Sequence, residues 1–236
     1  MRLRNIPRAE SVLGASPYVI KNPSSCRGKW AENVFQSSSP IHIEIGMGKG
    51  QFLLTLAKQN PSVNYIGIER YSSVLLRAVE KLGESGTDSG DTSCRKPADR
   101  FQNLRFVCCD AAGLPDFFAP GEISRIYLNF SDPWPKARHA RRRLTSREYF
   151  SRYDLILARG GQVEFKTDNR ALFDFSTGQL DSSDTWEIAG LTYDLHRDGS
   201  MCAGNVLTEY EARFSSAGTP ICKLIAKRRA EGDLCI

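Results

Sequence analysis

Short apolar runs alternate with longer amphipathic segments along most of this chain, and this alternation restricts the fold more than any other feature. The first short run, Ile41–Ile45, is followed by apolar residues at helical spacing from Phe52 to Ala57 and by an Asn60-Pro61 stop. Strands that alternate with helices form a parallel sheet with helices on both faces. The sequence therefore predicts an α/β fold.

The same alternation continues to the end of the chain. It predicts further strands at residues 64–68, 104–108, 123–129 and 162–166, and helices at residues 74–82, about 146–158 and near 172–175. Gly160 and Gly161 follow the second of these helices and are predicted to end it. Residues 188–195 and 220–226 have the pattern of antiparallel strands. We therefore predict a mostly parallel sheet with one antiparallel edge.

The length and composition are those of one ordinary globular domain. The chain has 236 residues, of which 41% are hydrophobic and 25% charged, and this is enough to bury a full core. Residues 83–100 are rich in Gly, Ser and Asp with almost no apolar side chain, which indicates a surface insertion. We expect a single domain over residues 1–236, with an N-terminal extension at residues 1–35.

Several features point to a cytoplasmic protein without a structural metal. The basic N-terminus has no apolar segment behind it, and no apolar run approaches the length of a membrane span. The seven cysteines are odd in number and the three histidines form no zinc-binding pattern with them, so we expect reduced thiols. The net charge of +5 is a modest indication of a polyanionic partner.

A glycine-rich loop at residues 44–50, Glu-Ile-Gly-Met-Gly-Lys-Gly, joins the first predicted strand to the first helix. A P-loop would need Ser or Thr where Gly50 stands, and a dinucleotide loop would have its third glycine at Gln51. The observed GxGxG spacing is the form usual in enzymes that use S-adenosylmethionine. Glu44 could pair with the ammonium group of that cofactor. An ordinary tight turn remains the alternative.

Two more carboxylates are predicted at the same edge of the sheet. Glu69 ends the second strand, where it could accept hydrogen bonds from ribose hydroxyls, and Asp110 follows the third strand, where it could face an adenine amino group. A lone Asp at such a position usually caps a helix. The three carboxylates together favour a cofactor site.

The most specific motif is Leu-Asn-Phe-Ser-Asp-Pro-Trp-Pro-Lys at residues 128–136, followed by Arg-His-Ala-Arg-Arg-Arg-Leu at residues 138–144. Here the chain strongly resembles the bacterial tRNA (guanine-N7)-methyltransferase family, a class I S-adenosylmethionine-dependent family. The resemblance extends to residues 44–46, 68–69, 165–169 and 208–214, and so spans nearly the whole chain. It implies a Rossmann-like seven-stranded sheet and methyl transfer to N7 of a guanosine in tRNA, at position 46 of the variable loop.

The resemblance also implies roles for individual residues. Asp132 matches the proposed active-site carboxylate of the family. With the glycine loop, the implied cofactor contacts are Glu44, Gly46, Gly48, Glu69, Asp110, Ala111, Asn129 and Asp132. The implied substrate contacts are Lys136, Asp168, Thr208, Glu209, Tyr210 and Glu211. The implied RNA-binding segment comprises Arg138, His139, Arg141, Arg142 and Arg143. We expect tRNA as the partner, no obligate protein partner, and a monomer or homodimer.

Less specific interpretations exist for each of these motifs. Asp-Pro is common in turns, a run of arginines is often a solvated face, and Asp168 could be a helix cap. Glu209 and Glu211 could lie on a solvated edge. At the level of function, the alternatives are a methyltransferase for another RNA or a small molecule, and a non-catalytic RNA-binding protein of the same fold.

Overall fold

One mixed sheet of seven strands lies at the centre of the part of the chain that this computed structural model describes, residues 6–84 and 101–229. The strands are β1 Ile41–Ile45, β2 Asn64–Glu69, β3 Leu104–Cys108, β4 Ile123–Asn129, β5 Leu157–Thr167, β6 Trp186–Thr192 and β7 Cys222–Arg228. Their order across the sheet is β3-β2-β1-β4-β5-β7-β6. Most of the predicted surface insertion and the first five residues lie outside the described ranges.

The strand directions confirm the predicted α/β fold with an antiparallel edge. Strands β3, β2, β1, β4 and β5 pair in parallel, whereas β7 pairs antiparallel with both β5 and β6. The carboxyl ends of the five parallel strands therefore meet at one edge of the sheet. Open α/β sheets bind their ligands at this edge.

Helices cover both faces of the sheet. They are α1 Ala9–Ala15, α2 Gln51–Gln59, α3 Ser72–Glu84, α4 Leu114–Phe117, α5 Arg147–Ile156, α6 Arg170–Asp181, α7 Gly199–Cys202 and α8 Glu209–Ser216. Because side chains alternate along a strand, Ile43 packs into one core cluster with Phe173, while Tyr65 packs into the other with Leu53. None of the described helices is long and apolar enough to cross a membrane.

The segment before β1 packs against the sheet. Trp30 is fully buried in a π-helical turn, Trp30–Phe35, and its indole N–H donates a 2.9 Å hydrogen bond to the carbonyl of Phe117. Nearer the N-terminus, the amide of Ile20 donates a 2.9 Å bond to the carbonyl of Phe106 in β3. The described part of the predicted N-terminal extension therefore contributes to the core.

The predicted boundary between the helix at 146–158 and the strand at 162–166 is wrong. Helix α5 ends at Ile156, and β5 begins at once with Leu157. Gly160, at φ +69°, and Gly161 lie inside β5, where the pairing with β4 shifts between Ile123 and Arg125. The glycines serve this irregularity in the sheet and do not end the helix.

The last two strands are also displaced from their predicted positions, residues 188–195 and 220–226. β7 begins at Cys222 and ends at Arg228. β6 ends at Thr192, and Leu195 instead begins a short 3₁₀ turn, Leu195–Arg197. Leu195 is fully buried, and its amide donates a 2.7 Å hydrogen bond to the carbonyl of Ile221. Leu195 is apolar because it is buried outside a strand, and the predicted strand was therefore drawn too long.

Candidate functional site

The glycine-rich loop leaves β1 in a left-handed conformation. Gly46 and Gly48 have φ values of +75° and +58°, a region that residues with a Cβ atom rarely adopt. A Cβ atom built on either glycine would meet no atom within 4 Å. Backbone conformation therefore requires these glycines, and the free space beside them leaves room for a ligand against the loop.

Glu44, at the base of this loop, is a buried carboxylate with one unsatisfied oxygen. Its side chain is 2% exposed; Oε1 accepts a 2.8 Å hydrogen bond from Nδ2 of Asn129. Oε2 is buried without a hydrogen-bond partner. Burial raises the pKa of Glu44 to about 8, although Asn129 and the nearby Lys166 oppose this shift. Oε2 therefore offers an acceptor that a cationic or hydrogen-bond-donating group could join.

Glu69 fastens the same loop to β2. Its Oε2 accepts a 3.1 Å bond from the amide of Gly48, and its Oε1 accepts a 3.0 Å bond from the amide of Tyr71. Burial raises the pKa of Glu69, and these backbone bonds oppose the shift. Each carboxylate oxygen has a further lone pair, so Glu69 keeps acceptor capacity for ribose hydroxyls.

Asp110 acts as a helix cap, as the less specific interpretation predicted. Its Oδ1 accepts a 2.9 Å bond from the amide of Ala112, and Oδ2 lies 3.4 Å from a guanidinium nitrogen of Arg70. Asp110 is nevertheless exposed at the carboxyl edge of the sheet, next to the buried Ala111. Capping the turn and lining a ligand pocket are compatible here.

A cavity of about 810 Å³ brings the ends of the strands together with the specific motif. Its lining includes Glu69 and Asp110, which end or follow strands, together with Asp132, Arg141 and Arg142 from the specific motif and the basic segment.

A smaller cavity of about 190 Å³ contains Glu44, the glycine loop and residues 208–210. Gly46 and Phe130 line both cavities, so the two adjoin. The predicted cofactor residues thus lie along one connected groove.

Asp132 lies in a loop with an unusual backbone. Phe130 and Trp134, two residues before and after it, have φ values of +52° and +41°. Such values are uncommon for large side chains and cost free energy, so the surrounding structure must hold them in place. Asp132 itself is exposed, and the hydroxyl of Ser131 beside it is buried without a hydrogen-bond partner. The loop therefore presents a carboxylate to the larger cavity.

The basic segment after this loop forms a 3₁₀ helix, Ala137–Arg142. Lys136, Arg138, Arg141 and Arg142 are exposed there, and His139 is half-buried. The Arg142 guanidinium lies 5.1 Å from the centre of the Trp134 ring. Arg143 differs from these residues, because it is half-buried and bonds to the carbonyls of Pro133 and Trp134.

Residues 208–211 fasten a C-terminal segment over the groove through several contacts. The hydroxyl of Thr208 caps α8 by accepting a 2.9 Å bond from the amide of Glu211. Glu209 pairs with Lys81 and lies 3.9 Å from Lys49 in the glycine loop.

Tyr210 and Glu211 contact residues at the ends of β4 and β5. The hydroxyl of Tyr210 donates a 3.1 Å bond to Oδ2 of Asp168, and its ring centre lies 4.7 Å from that of Phe130. Glu211 is fully buried and pairs with Lys166, so its predicted solvated-edge alternative is wrong. Asp168 is not the cap of α6, because Asn169 accepts the bond from the Leu172 amide.

Sequence reasoning missed Lys166 as a buried member of this arrangement. Its Nζ donates a 3.1 Å bond to Oδ1 of Asn205 and a 2.9 Å bond to the carbonyl of Val206, in addition to the pair with Glu211. Burial lowers the pKa of Lys166, and Glu211 opposes that shift. A lysine among the apolar residues at the end of a central strand was the available signal.

Comparison with known proteins identifies the family. A family model described as "Putative methyltransferase" matches residues 38–224. A tRNA (guanine-N(7)-)-methyltransferase of Lachnoclostridium phytofermentans is 53% identical over 98% of this chain and 100% of its own length. The Bacillus subtilis enzyme of the same name is 45% identical over 94% of this chain and 96% of its own length.

Solved structures show the same fold at low sequence identity. The crystal structure of the 16S rRNA methyltransferase KamB matches with a TM-score of 0.58 and 17% identity, over 84% of this chain and 92% of its own. That likeness bears on the fold alone, which is the Rossmann-like sheet predicted above. The relatives match nearly the full length of this chain, and the chain belongs to the tRNA (guanine-N7)-methyltransferase family.

Proposed function

We propose that this protein transfers the methyl group of S-adenosylmethionine to N7 of a guanosine in tRNA, in the cytoplasm, at position 46 of the variable loop. The observation that carries the proposal is the larger cavity, which joins Glu69 and Asp110 to Asp132 and the exposed Arg141 and Arg142. This arrangement supports a cofactor site and a polyanion-binding surface that adjoin at Asp132. The names of the relatives support the same reaction.

The residues of the groove fit S-adenosylmethionine. Glu44 offers an unsatisfied carboxylate oxygen to an ammonium group, and the open side of Gly46 and Gly48 leaves room for a ligand. Glu69 would accept from the ribose hydroxyls, and Asp110, beside Ala111, would accept from the adenine amino group. When bound, this cofactor supplies an electrophilic methyl group on a positively charged sulfur.

The acceptor atom explains why the carboxylates of the site need not act as general bases. Guanine N7 has a lone pair in the plane of the ring and carries no proton. No proton therefore has to be removed before N7 attacks the methyl group. Positive charge develops on the purine as the methyl group arrives. Catalysis then depends on in-line positioning and on negative charge near the base.

Asp132 is placed to perform both tasks. It lies on the larger cavity between the cofactor carboxylates and the basic segment. Its carboxylate would accept from guanine N1–H or the exocyclic amine, which orients N7, and would stabilise the cation that forms. Thr208, Glu209 and Tyr210 line the smaller cavity, and they are proposed as substrate contacts together with Lys136 and Asp168.

The exposed basic side chains would bind the tRNA backbone. Lys136, Arg138, Arg141 and Arg142 can neutralise phosphates without reading base sequence. In a paired A-form helix, guanine N7 lies in a deep and narrow major groove that side chains do not reach. We therefore propose that shape and an accessible guanosine select the tRNA.

The decisive test incubates purified protein with unmodified tRNA transcript and methyl-labelled S-adenosylmethionine, followed by digestion and identification of the labelled nucleoside. Labelled 7-methylguanosine supports the reaction, and its loss on replacing the guanosine at position 46 supports the position. Cofactor binding without labelled tRNA would favour another substrate. Failure to bind the cofactor would favour a non-catalytic RNA-binding protein.

A further inference from the structure

The loop that carries Asp132 needs an external support. Phe130 and Trp134 both adopt left-handed φ values, so the loop is not held by its own backbone preferences. Pro133 and Pro135 restrict φ but donate no backbone hydrogen bonds. Contacts from outside residues 130–135 must therefore contribute to the direction in which Asp132 points.

Arg143 supplies such contacts. Its Nε donates a 3.0 Å bond to the carbonyl of Pro133, and its Nη2 donates a 3.1 Å bond to the carbonyl of Trp134. The guanidinium carbon lies 4.2 Å from the centre of the Phe175 ring in α6. Both sides of the side chain are thus engaged, one by the loop and one by the helix.

The backbone of Arg143 is anchored as firmly as its side chain. Its amide donates a 3.1 Å bond to the carbonyl of Ala140, and its carbonyl accepts a 3.0 Å bond from the amide of Ser146 at the start of α5. Ser146 is itself buried. The guanidinium therefore transmits the position of α5 and α6 to the loop.

We propose that Arg143 is a positioning residue for Asp132 and not a phosphate-binding residue of the basic segment. The inference rests on the proposed function, since it concerns the orientation of Asp132 toward the acceptor base. Two bonds from adjacent nitrogens together with stacking on a ring require the planar guanidinium fork, which lysine lacks. Arg141 lies 3.0 Å from Oε1 of Glu148 through its Nε, and its side chain is 88% exposed, which is the exposure that a phosphate contact needs.

The two roles predict opposite behaviour for Arg143→Lys, which keeps the charge and loses the fork. If Arg143 positions the loop, the kcat of Arg143→Lys should fall about tenfold to a hundredfold, whereas its tRNA affinity and the salt dependence of that affinity should not change. Arg141→Ala is the contrasting variant, and it should weaken tRNA binding and reduce the salt slope by about one.

A wild-type kcat for Arg143→Lys, with weaker tRNA binding in Arg143→Ala, would overturn the inference. Thermal unfolding and S-adenosylhomocysteine affinity, measured on each variant, separate displacement of the loop from loss of the fold.

If Arg143→Lys does not fold, Phe175→Leu tests the same support from the helix side. This variant should have a lower kcat and an unchanged tRNA affinity. An unchanged kcat there would count against the inference. Absence of 7-methylguanosine with wild-type protein would instead remove the proposed function.

Discussion

Nδ2 of Asn129 donates a 2.8 Å hydrogen bond to Oε1 of Glu44, whereas Oε2 of the same buried carboxylate has no hydrogen-bond partner among the described residues. Asn129 ends β4 and Glu44 lies in β1, so the bond joins two adjacent strands at the edge where the groove lies. An ionised carboxylate is costly in this position unless a cation joins it. With Glu44 as the proposed partner of the cofactor ammonium group, cofactor binding would be linked to deprotonation of Glu44.

The affinity of the protein for S-adenosylhomocysteine, which carries the same ammonium group, should rise with pH. With the pKa of Glu44 at about 8, its carboxyl is mostly protonated at pH 6 and must lose a proton to pair with a cation. We expect affinity to increase by up to about tenfold per pH unit between pH 6 and 8. Calorimetry near pH 7 in buffers of different ionisation enthalpy should show close to one proton released.

The variant Glu44→Gln is the matched control for that experiment. Its amide has the same shape and does not titrate, so binding should be weaker and free of the proton release. Equal proton release in both proteins would show that another group is responsible.

The stability of the ligand-free protein should depend on Glu44 in the opposite direction. Since the folded-state pKa lies above the ordinary value of 4.5, the folded protein binds more protons than the unfolded chain. The contribution is fully present below about pH 4.5 and is lost as pH rises to about 8. The free energy of unfolding of Glu44→Gln should therefore gain on that of the wild type between pH 5 and 8, by up to about 1.4 kcal/mol per pH unit, and its Tm should rise relative to the wild-type Tm over the same range. A constant difference in Tm would contradict the raised pKa.

Much of the fold was predictable because strands and helices have different apolar periods. β1, β3 and β4 begin and end at the predicted residues. The start of β5 was not predictable, since Gly160 and Gly161 suit either a helix end or a strand irregularity. Pairing with β4, distant in sequence, decides between them.

The site was predictable to a similar extent and for a similar reason. Glu44, Glu69 and Asp110 were expected at one edge because parallel strands place their carboxyl ends together. The orientation of individual side chains was not available from the sequence. Local sequence assigns Arg143 to a run of arginines and leaves a solvated edge open for Glu211, whereas contacts with Phe175 and Lys166, distant in sequence, hold the two side chains against the fold.

Asp132→Ala should lower kcat for methyl transfer by about a hundredfold or more, with tRNA affinity within about twofold of wild type. The reason is that the carboxylate is proposed to act on the developing charge and on base orientation, which matter most in the transition state. Single-turnover methylation and a separate tRNA-binding assay measure the two quantities. Asp132→Asn keeps the shape of the side chain and removes its charge. Comparison with Asp132→Ala therefore separates the contribution of base orientation from that of negative charge. Near-normal turnover in Asp132→Ala would exclude the proposed role.

Simultaneous replacement of Arg141 and Arg142 by alanine should act on tRNA affinity. Both side chains are exposed beside the larger cavity, and each neutralised phosphate adds about 0.7 to 0.9 to the slope of log affinity against log salt. We expect the slope to decrease by up to about two, measured by filter binding from 50 to 200 mM salt. An unchanged slope would identify these arginines as a solvated surface.

The buried pair between Lys166 and Glu211 should contribute to both stability and substrate handling. Lys166→Met removes the lysine from the fully buried Glu211, a change that typically costs about 3–5 kcal/mol for a buried pair. Asn205 and His196, which also contact Oε1 of Glu211, should place the cost toward the lower end of that range. Glu211→Gln should cost less, because Lys166 retains Asn205 and the carbonyl of Val206 as partners.

The consequence for function follows from the position of Tyr210, next to Glu211 and bonded to Asp168. Release of α8 from the sheet in Glu211→Gln should raise KM for tRNA more than it lowers kcat. Tyr210→Phe is the matched comparison, since it breaks the bond to Asp168 and leaves the buried pair in place; it should reproduce part of the KM effect without the loss of Tm. A destabilised Glu211→Gln with unchanged KM would restrict the pair to a structural role.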